Sequence, residues 1–238
     1  MLNFASKIKN TMGILIALSI YLLWLGHLVY SLLYVSVDPL SPWLYLHILI
    51  QGYLYTGLFI TGHDAMHGTV AKNRRINDAI GWIATLSFAF LSYNRLRKNH
   101  YLHHRFPGTG KDPDFYPASN RFFTWWLAFM VRYSTWWQMV LMALTFNILL
   151  HGFAGLNEWN LLAFWVVPAF LGTFQLFYYG TYEPHRRPHT EELGEHKART
   201  LKRNHLWAML SCYFFGYHRE HHETPTTPWW KLYSVKKN

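Results

Sequence analysis

Residues 12–37 (MGILIALSIYLLWLGHLVYSLLYVSV) form a run of 26 without a single Lys, Arg, Asp or Glu. A helix crosses the hydrocarbon of a bilayer in about 20 apolar residues, and there every backbone N–H and C=O must be paired inside the segment. The run therefore predicts a membrane helix. It is about twice the 7–15 residues of a secretory-signal core, and no small-residue cleavage site follows, so it is expected to stay in the mature protein. Residues 43–62, 133–151 and 159–182 reach a similar length, while 76–93 and 206–217 are too short and read as re-entrant or interfacial helices. The expected fold is an all-α integral membrane bundle of about four transmembrane helices with those shorter helices added. With 51% hydrophobic and only 14% charged residues, against roughly one quarter charged in soluble domains, the composition agrees. No Ser/Gly-rich or Pro-rich linker divides the chain, so 1–238 is read as one domain.

Lys and Arg are retained on the cytoplasmic side of a membrane. The connections VDPLSPW (37–43) and GFAGLNEWN (152–160) contain neither, whereas 68–121 and 183–238 hold nearly all of them. Both chain ends and both basic segments are thus expected in the cytoplasm, and the formal charge of +10 follows largely from that topology. The stretch 185–205 also offers a face to anionic lipid or to an acidic protein partner. Nucleic-acid binding is not expected, because the basic residues lie on loops without a binding module. Cys212 is the lone cysteine, which excludes an intramolecular disulfide and a cysteine-based metal site. Pro and Gly in RFPGTGKDPDFYPASNR (105–121) forbid a long helix there. The pairs Trp125–Trp126 and Trp229–Trp230 read as interface anchors.

Fifteen histidines are present, and eight of them fall into three groups: HDAMH (His63, His67), HYLHH (His100, His103, His104) and HREHH (His218, His221, His222). Residues three and four apart share a helix face, so each group is expected to project its imidazoles in one direction as half of a metal site. A catalytic zinc takes about three protein ligands and a structural one about four; eight or nine histidines fit two ions with open positions, and chemistry on O₂ would select iron. Asp64 stands where a zinc protease would carry its general-base glutamate. His27 and His47 are expected to bond neighbouring helices, His151 to cap an outer end, and His189 and His196 to lie in the solvated loop. Asp64, Asp112, Asp114 and Glu220 are candidate acceptors for ligand imidazoles, with Asp114 favoured.

The three boxes resemble those of the membrane fatty-acid desaturase and hydroxylase superfamily, whose members bind a histidine-rich di-iron centre. The longer strings FITGHDAMHGTV, KNHYLHHRFPGTGKDPDFYP and CYFFGYHREHHETPTTPWWKLY resemble the beta-carotene 4-ketolases, from about Leu44 to the C-terminus. That resemblance implies a cytoplasmic di-iron cap with two iron ions held by His63, His67, His100, His103, His104, His218, His221 and His222. It also implies a further ligand upstream of the third box, for which His185 in GTYEPHRRPH is the candidate and His205 and Asn204 the alternatives.

By the same resemblance the activity would be O₂-dependent ketone formation at C4 of a beta-ionone ring, through two successive hydroxylations and loss of water. The carotenoid would enter from the membrane lipids, and an external donor such as ferredoxin is implied, since no flavin, haem or dinucleotide motif is present. The competing expectations are a carotenoid hydroxylase or a lipid desaturase and, outside enzymes, a metal transporter, whose ligands should lie within the spans.

Overall fold

The computed structural model describes residues 2–202 and 204–235, and every regular element among them is helical. The expected placement of the two chain ends falls partly on Met1 and 236–238, which lie outside the described residues.

Three helices are long and apolar enough to cross a membrane. Helix α1 (Leu2–Tyr34) contributes the span from Thr11, α2 (Pro42–Met66) the second, and α7 (Glu158–His185) the third. Helix α1 leaves Leu15, Leu18, Leu22, Leu23, Leu25, Val29 and Leu33 exposed, an apolar face that lipid rather than protein would cover. Helix α2 is the central element, packing against α1, α7 and α3 (Arg74–Ala89).

The span expected over 133–151 is realised differently. Tyr133 ends α5 (Phe122–Tyr133), and Thr135 caps a new helix, α6 (Trp136–Gly152), its hydroxyl accepting from the Gln138 N–H. At about 1.5 Å per residue, the 17 residues of α6 reach roughly 25 Å, short of a hydrocarbon core of about 30 Å. The Ser134–Thr135 break divides the run because both residues are extended, and it turns α6 against α7.

Two further expectations for the chain's course are seen in the structure, and one is not. Helix α3 and the later α8 (His205–Cys212) are short helices packed on the bundle, and 106–121 holds no helix. Trp125 and Trp229, expected as interface anchors, are core residues with 1% and 7% exposure. The Trp125 indole N–H donates 2.8 Å to the Asp114 carbonyl, a fixed partner that takes its polar edge out of any interface.

Helices α2 and α7 deliver their C-terminal ends to one side, where α4 (Tyr93–Arg105) and α9 (His218–Glu223) meet them. Asn77 of α3 fixes this junction by donating 2.7 Å to the Ala65 carbonyl while accepting from the Ala71 N–H. Trp229 N–H donates 2.9 Å to the Asp64 carboxylate, tying the C-terminal segment to the first histidine box. The Lys- and Arg-poor connections lie at the opposite ends of the same spans.

Candidate metal centre

All nine histidines proposed as ligands converge at that junction. The donor atoms of His63, His67, His100 and His221 lie within 4.8 Å of one another, and so do those of His103, His185, His218 and His222. His104 stands between the groups: its Nε2 is 3.1 Å from His100 Nε2 and 3.0 Å from His221 Nε2, and its ring is 4.3 Å from that of His222.

The boxes are not the units of this assembly. His100 and His104 turn to one group and His103 to the other; His218 and His222 turn to one and His221 to the other. The expectation that each box points one way holds for HDAMH, whose His63 and His67 stay together, and is corrected for the other two boxes. Successive residues of a helix diverge by about 100°, so each adjacent His–His pair is split between sites; the i,i+4 partners, about 40° apart, stay together, while the i,i+3 partners, about 60° apart, go to different groups.

The nitrogen–nitrogen separations identify what the cluster lacks. His67 and His100 approach Nε2 to Nε2 at 2.7 Å, and His103–His222 and His218–His222 do so at 3.1 Å. A neutral imidazole has one N–H, so the single proton of His100 cannot serve contacts to both His67 and His104. Meanwhile His63 Nε2 and His185 Nε2 are buried without any hydrogen-bond partner, each costing about 1–3 kcal/mol if left so. Nitrogens bound to one metal at about 2.1 Å stand roughly 3.0–3.4 Å apart, close to these separations. The donor set therefore fits metal ions and does not fit a plain hydrogen-bonded core.

The protonation states agree. Burial holds His100, His218, His221 and His222 well below the usual imidazole range, and pushes His67 down to about 4. These rings are neutral at pH 7, the form that ligates. Burial also acts against a charge on His103, but the Asp112 carboxylate overcomes it and raises that residue.

Asp112 is the acceptor behind His103, with its two oxygens 3.0 and 3.1 Å from Nδ1. Asp114, the favoured candidate, lies 3.8 Å from the same nitrogen and instead accepts from the Tyr133 hydroxyl. The loop explains the choice: the Gly108 and Asp114 N–H groups both donate 2.8 Å to Asp112 and aim its carboxylate inward. Burial pushes the Asp114 carboxyl up to about 6. His185 donates from Nδ1 to the Lys197 carbonyl at 3.1 Å, which leaves Nε2 for the centre.

The remaining candidates fall elsewhere. His205 bonds the Tyr217 hydroxyl at 2.9 Å and Asn204 caps α8 by accepting from Trp207 N–H, so neither reaches the cluster. His27 pairs with Gln51 at 2.6 Å and His47 at 3.0 Å between α1 and α2. His189, expected in solvent, is half-buried and donates 2.8 Å to the His185 carbonyl.

A cavity of about 610 Å³ opens on the cluster, with His63, His100, His103 and His218 in its wall. Away from the histidines it runs between α6 and α7 and is walled by Phe59, Phe88, Phe129, Phe146, Trp165 and Phe177. Sequence periodicity offered no sign of it, because α6 is apolar all round.

Compared with known proteins, the fatty acid desaturase family matches residues 40–135 and 132–238. The chain is 38% identical to the zeaxanthin 4-ketolase of Chlamydomonas reinhardtii, over 92% of this chain and 52% of that protein. It is 36% identical to the beta-carotene 4-ketolase of Protosiphon botryoides over 96% of this chain and 64% of the relative. With the beta-carotene ketolase of Paracoccus sp. (strain PC1) the identity is 38%, over 78% and 76%. The chain thus spans about half to two thirds of the length of the algal relatives and three quarters of the bacterial one. No solved structure matches significantly.

Proposed function

Because the chain belongs to the fatty acid desaturase family, we propose that it is a multi-pass membrane di-iron oxygenase that introduces a keto group at C4 of the beta-ionone rings of beta-carotene. The observation that carries this reading is a paired set of buried and half-buried imidazoles in the wall of an aromatic, apolar cavity, in a chain whose relatives are named beta-carotene ketolases.

His63, His67, His100, His104 and His221 would hold one iron, and His103, His185, His218 and His222 the other. When bound, the irons would supply the oxidising power, drawing on O₂ and an external one-electron donor. Each round puts one oxygen atom of O₂ into a C4–H bond and releases the other as water, using two electrons and two protons. Two rounds at one carbon make a gem-diol, which loses water to leave the ketone.

The protein's own work is positioning and exclusion. Phe59, Phe129 and Phe177 offer flat walls to a conjugated apolar substrate and keep water from it. Asp112 and the Lys197 carbonyl hold His103 and His185 in the tautomer that leaves Nε2 free. Helices α6 and α7 form the side through which a bilayer-dissolved rod would enter. The histidine end faces the cytoplasm, where the exposed Arg186, Arg187 and Lys202 suit an acidic donor such as ferredoxin.

The test is pigment analysis after expression of the full chain in cells that accumulate beta-carotene. Echinenone and canthaxanthin are expected, with iron in the purified protein. Unchanged pigment despite folded, iron-loaded protein would sink the ketolase reading; 3-hydroxy carotenoids or newly unsaturated acyl chains would replace it with a hydroxylase or a desaturase.

A further inference from the structure

Three of the four buried helical threonines have hydrogen-bond partners, and Thr56 meets the Gln175 side-chain oxygen as well as its own helix. Thr56, Thr61 and Thr85 return their hydroxyls to the carbonyls of Gly52, Gly57 and Gly81, four residues earlier, at 3.2, 2.9 and 3.0 Å. This is the ordinary way for a helix to satisfy a buried threonine.

Thr181 is the fourth, and it differs. It is 5% exposed, it lines the cavity, and its hydroxyl makes no hydrogen bond to any described residue. The local helix explains the difference. Residues Tyr178–Tyr182 form a π turn, with the Glu183 N–H reaching back to the Tyr178 carbonyl. The wider turn shifts the carbonyl four residues back out of register with the threonine. A hydroxyl that lines a cavity without a protein partner is free to bond a ligand there, and π turns concentrate at functional sites.

Its position gives the hydroxyl a use. Thr181 precedes His185 by four residues on α7 and so shares its face, and it lines the same cavity as His103 and His218. In the same wall, Thr173 returns its hydroxyl to Ala169, Asn147 its amide to Ala143, and Tyr133 its hydroxyl to Asp114.

Resting on the function proposed above, we infer that Thr181 is a specificity-determining residue that hydrogen-bonds the oxygen of a 4-hydroxylated carotenoid ring. By that bond it would retain the alcohol left by the first oxidation until the second has occurred. The unoxidised ring has no oxygen at that carbon, so the bond discriminates the alcohol from the hydrocarbon.

The experiment compares the full chain with T181V, which keeps the shape and removes the hydroxyl, and with T181S, which restores it. In cells accumulating beta-carotene, T181V should raise the ratio of 4-hydroxy to 4-keto products about three- to tenfold, the effect of one ordinary hydrogen bond, and T181S should return it to the parental value. Independently, quenching of tryptophan fluorescence in the purified full chain, kept without an electron donor, should show T181V binding a 4-hydroxy carotenoid three- to tenfold more weakly, with beta-carotene binding shifted less. An unchanged product ratio in an active T181V, or equal weakening for both carotenoids, would overturn the assignment. If the parental chain makes no ketone, the proposed function fails, and the binding comparison still decides the role of Thr181.

Discussion

Asp112 shows how much of the centre depends on a residue that ligates nothing. Its carboxylate meets His103 Nδ1 at 3.0 and 3.1 Å and is itself held by two backbone N–H groups. Acceptors behind ligand imidazoles change metal affinity by about 10- to 100-fold when removed. D112A is therefore expected to lower iron affinity in that range, D112N less, since its amide oxygen can still accept from Nδ1–H. Iron content after dialysis against graded chelator measures it; parental retention in D112A would sink the role. The sequence brought both Asp112 and Asp114 into consideration and favoured Asp114, although two carboxylates two residues apart on a loop have no periodicity to rank them. The turn at Gly108 ranks them. The nine histidines, by contrast, were legible from spacing and resemblance.

At the scale of the element, α7 is a helix whose two π turns, Leu162–Val166 and Tyr178–Tyr182, flank its regular part. Within the second, Gly180 lets Phe215 approach: a Cβ there would stand 2.3 Å from Phe215 Cε1 and 2.8 Å from Cδ1. That ring packs on His63 at 4.8 Å and His218 at 5.3 Å between centroids, one from each histidine group. Overpacking of this kind costs about 1–3 kcal/mol, so G180A should push Phe215 into both groups and lower metal loading and turnover together. Adding F215L, which removes the ring edge, should restore much of the loading. Equal loading in G180A and the parent, or no relief in the double variant, would argue against the contact. Helix α6 carries the complementary lesson. Its apolar run looked long enough to span, and a Ser–Thr break inside the run decided otherwise.

For the whole molecule, the centre joins the ends of α2, α4, α7 and α9, elements far apart in the chain. Metal bound only by the folded state stabilises it by mass action, about 4 kcal/mol at a thousand times Kd. In a chain of this size that corresponds to a Tm shift of the order of 10 °C. Removing metal with a chelator from detergent-solubilised protein should lower Tm by about that much, and adding ferrous iron back should recover it. A melting curve indifferent to verified metal removal would mean that the histidine junction is held by packing alone.

What the sequence determined by itself was the class of molecule and the set of ligand candidates. Charge-free runs longer than a bilayer is thick admit only helices, and histidines at i,i+3 and i,i+4 spacing collect on helix faces whatever surrounds them. Which imidazoles share a site was left to the tertiary structure. His103 and His104, like His221 and His222, are neighbours in the chain but point about 100° apart, so their grouping depends on how α4 and α9 meet between the ends of α2 and α7. The cavity and the unpartnered hydroxyl of Thr181 have the same origin, since both exist only once α6 and α7 are packed and a π turn has moved a carbonyl out of reach.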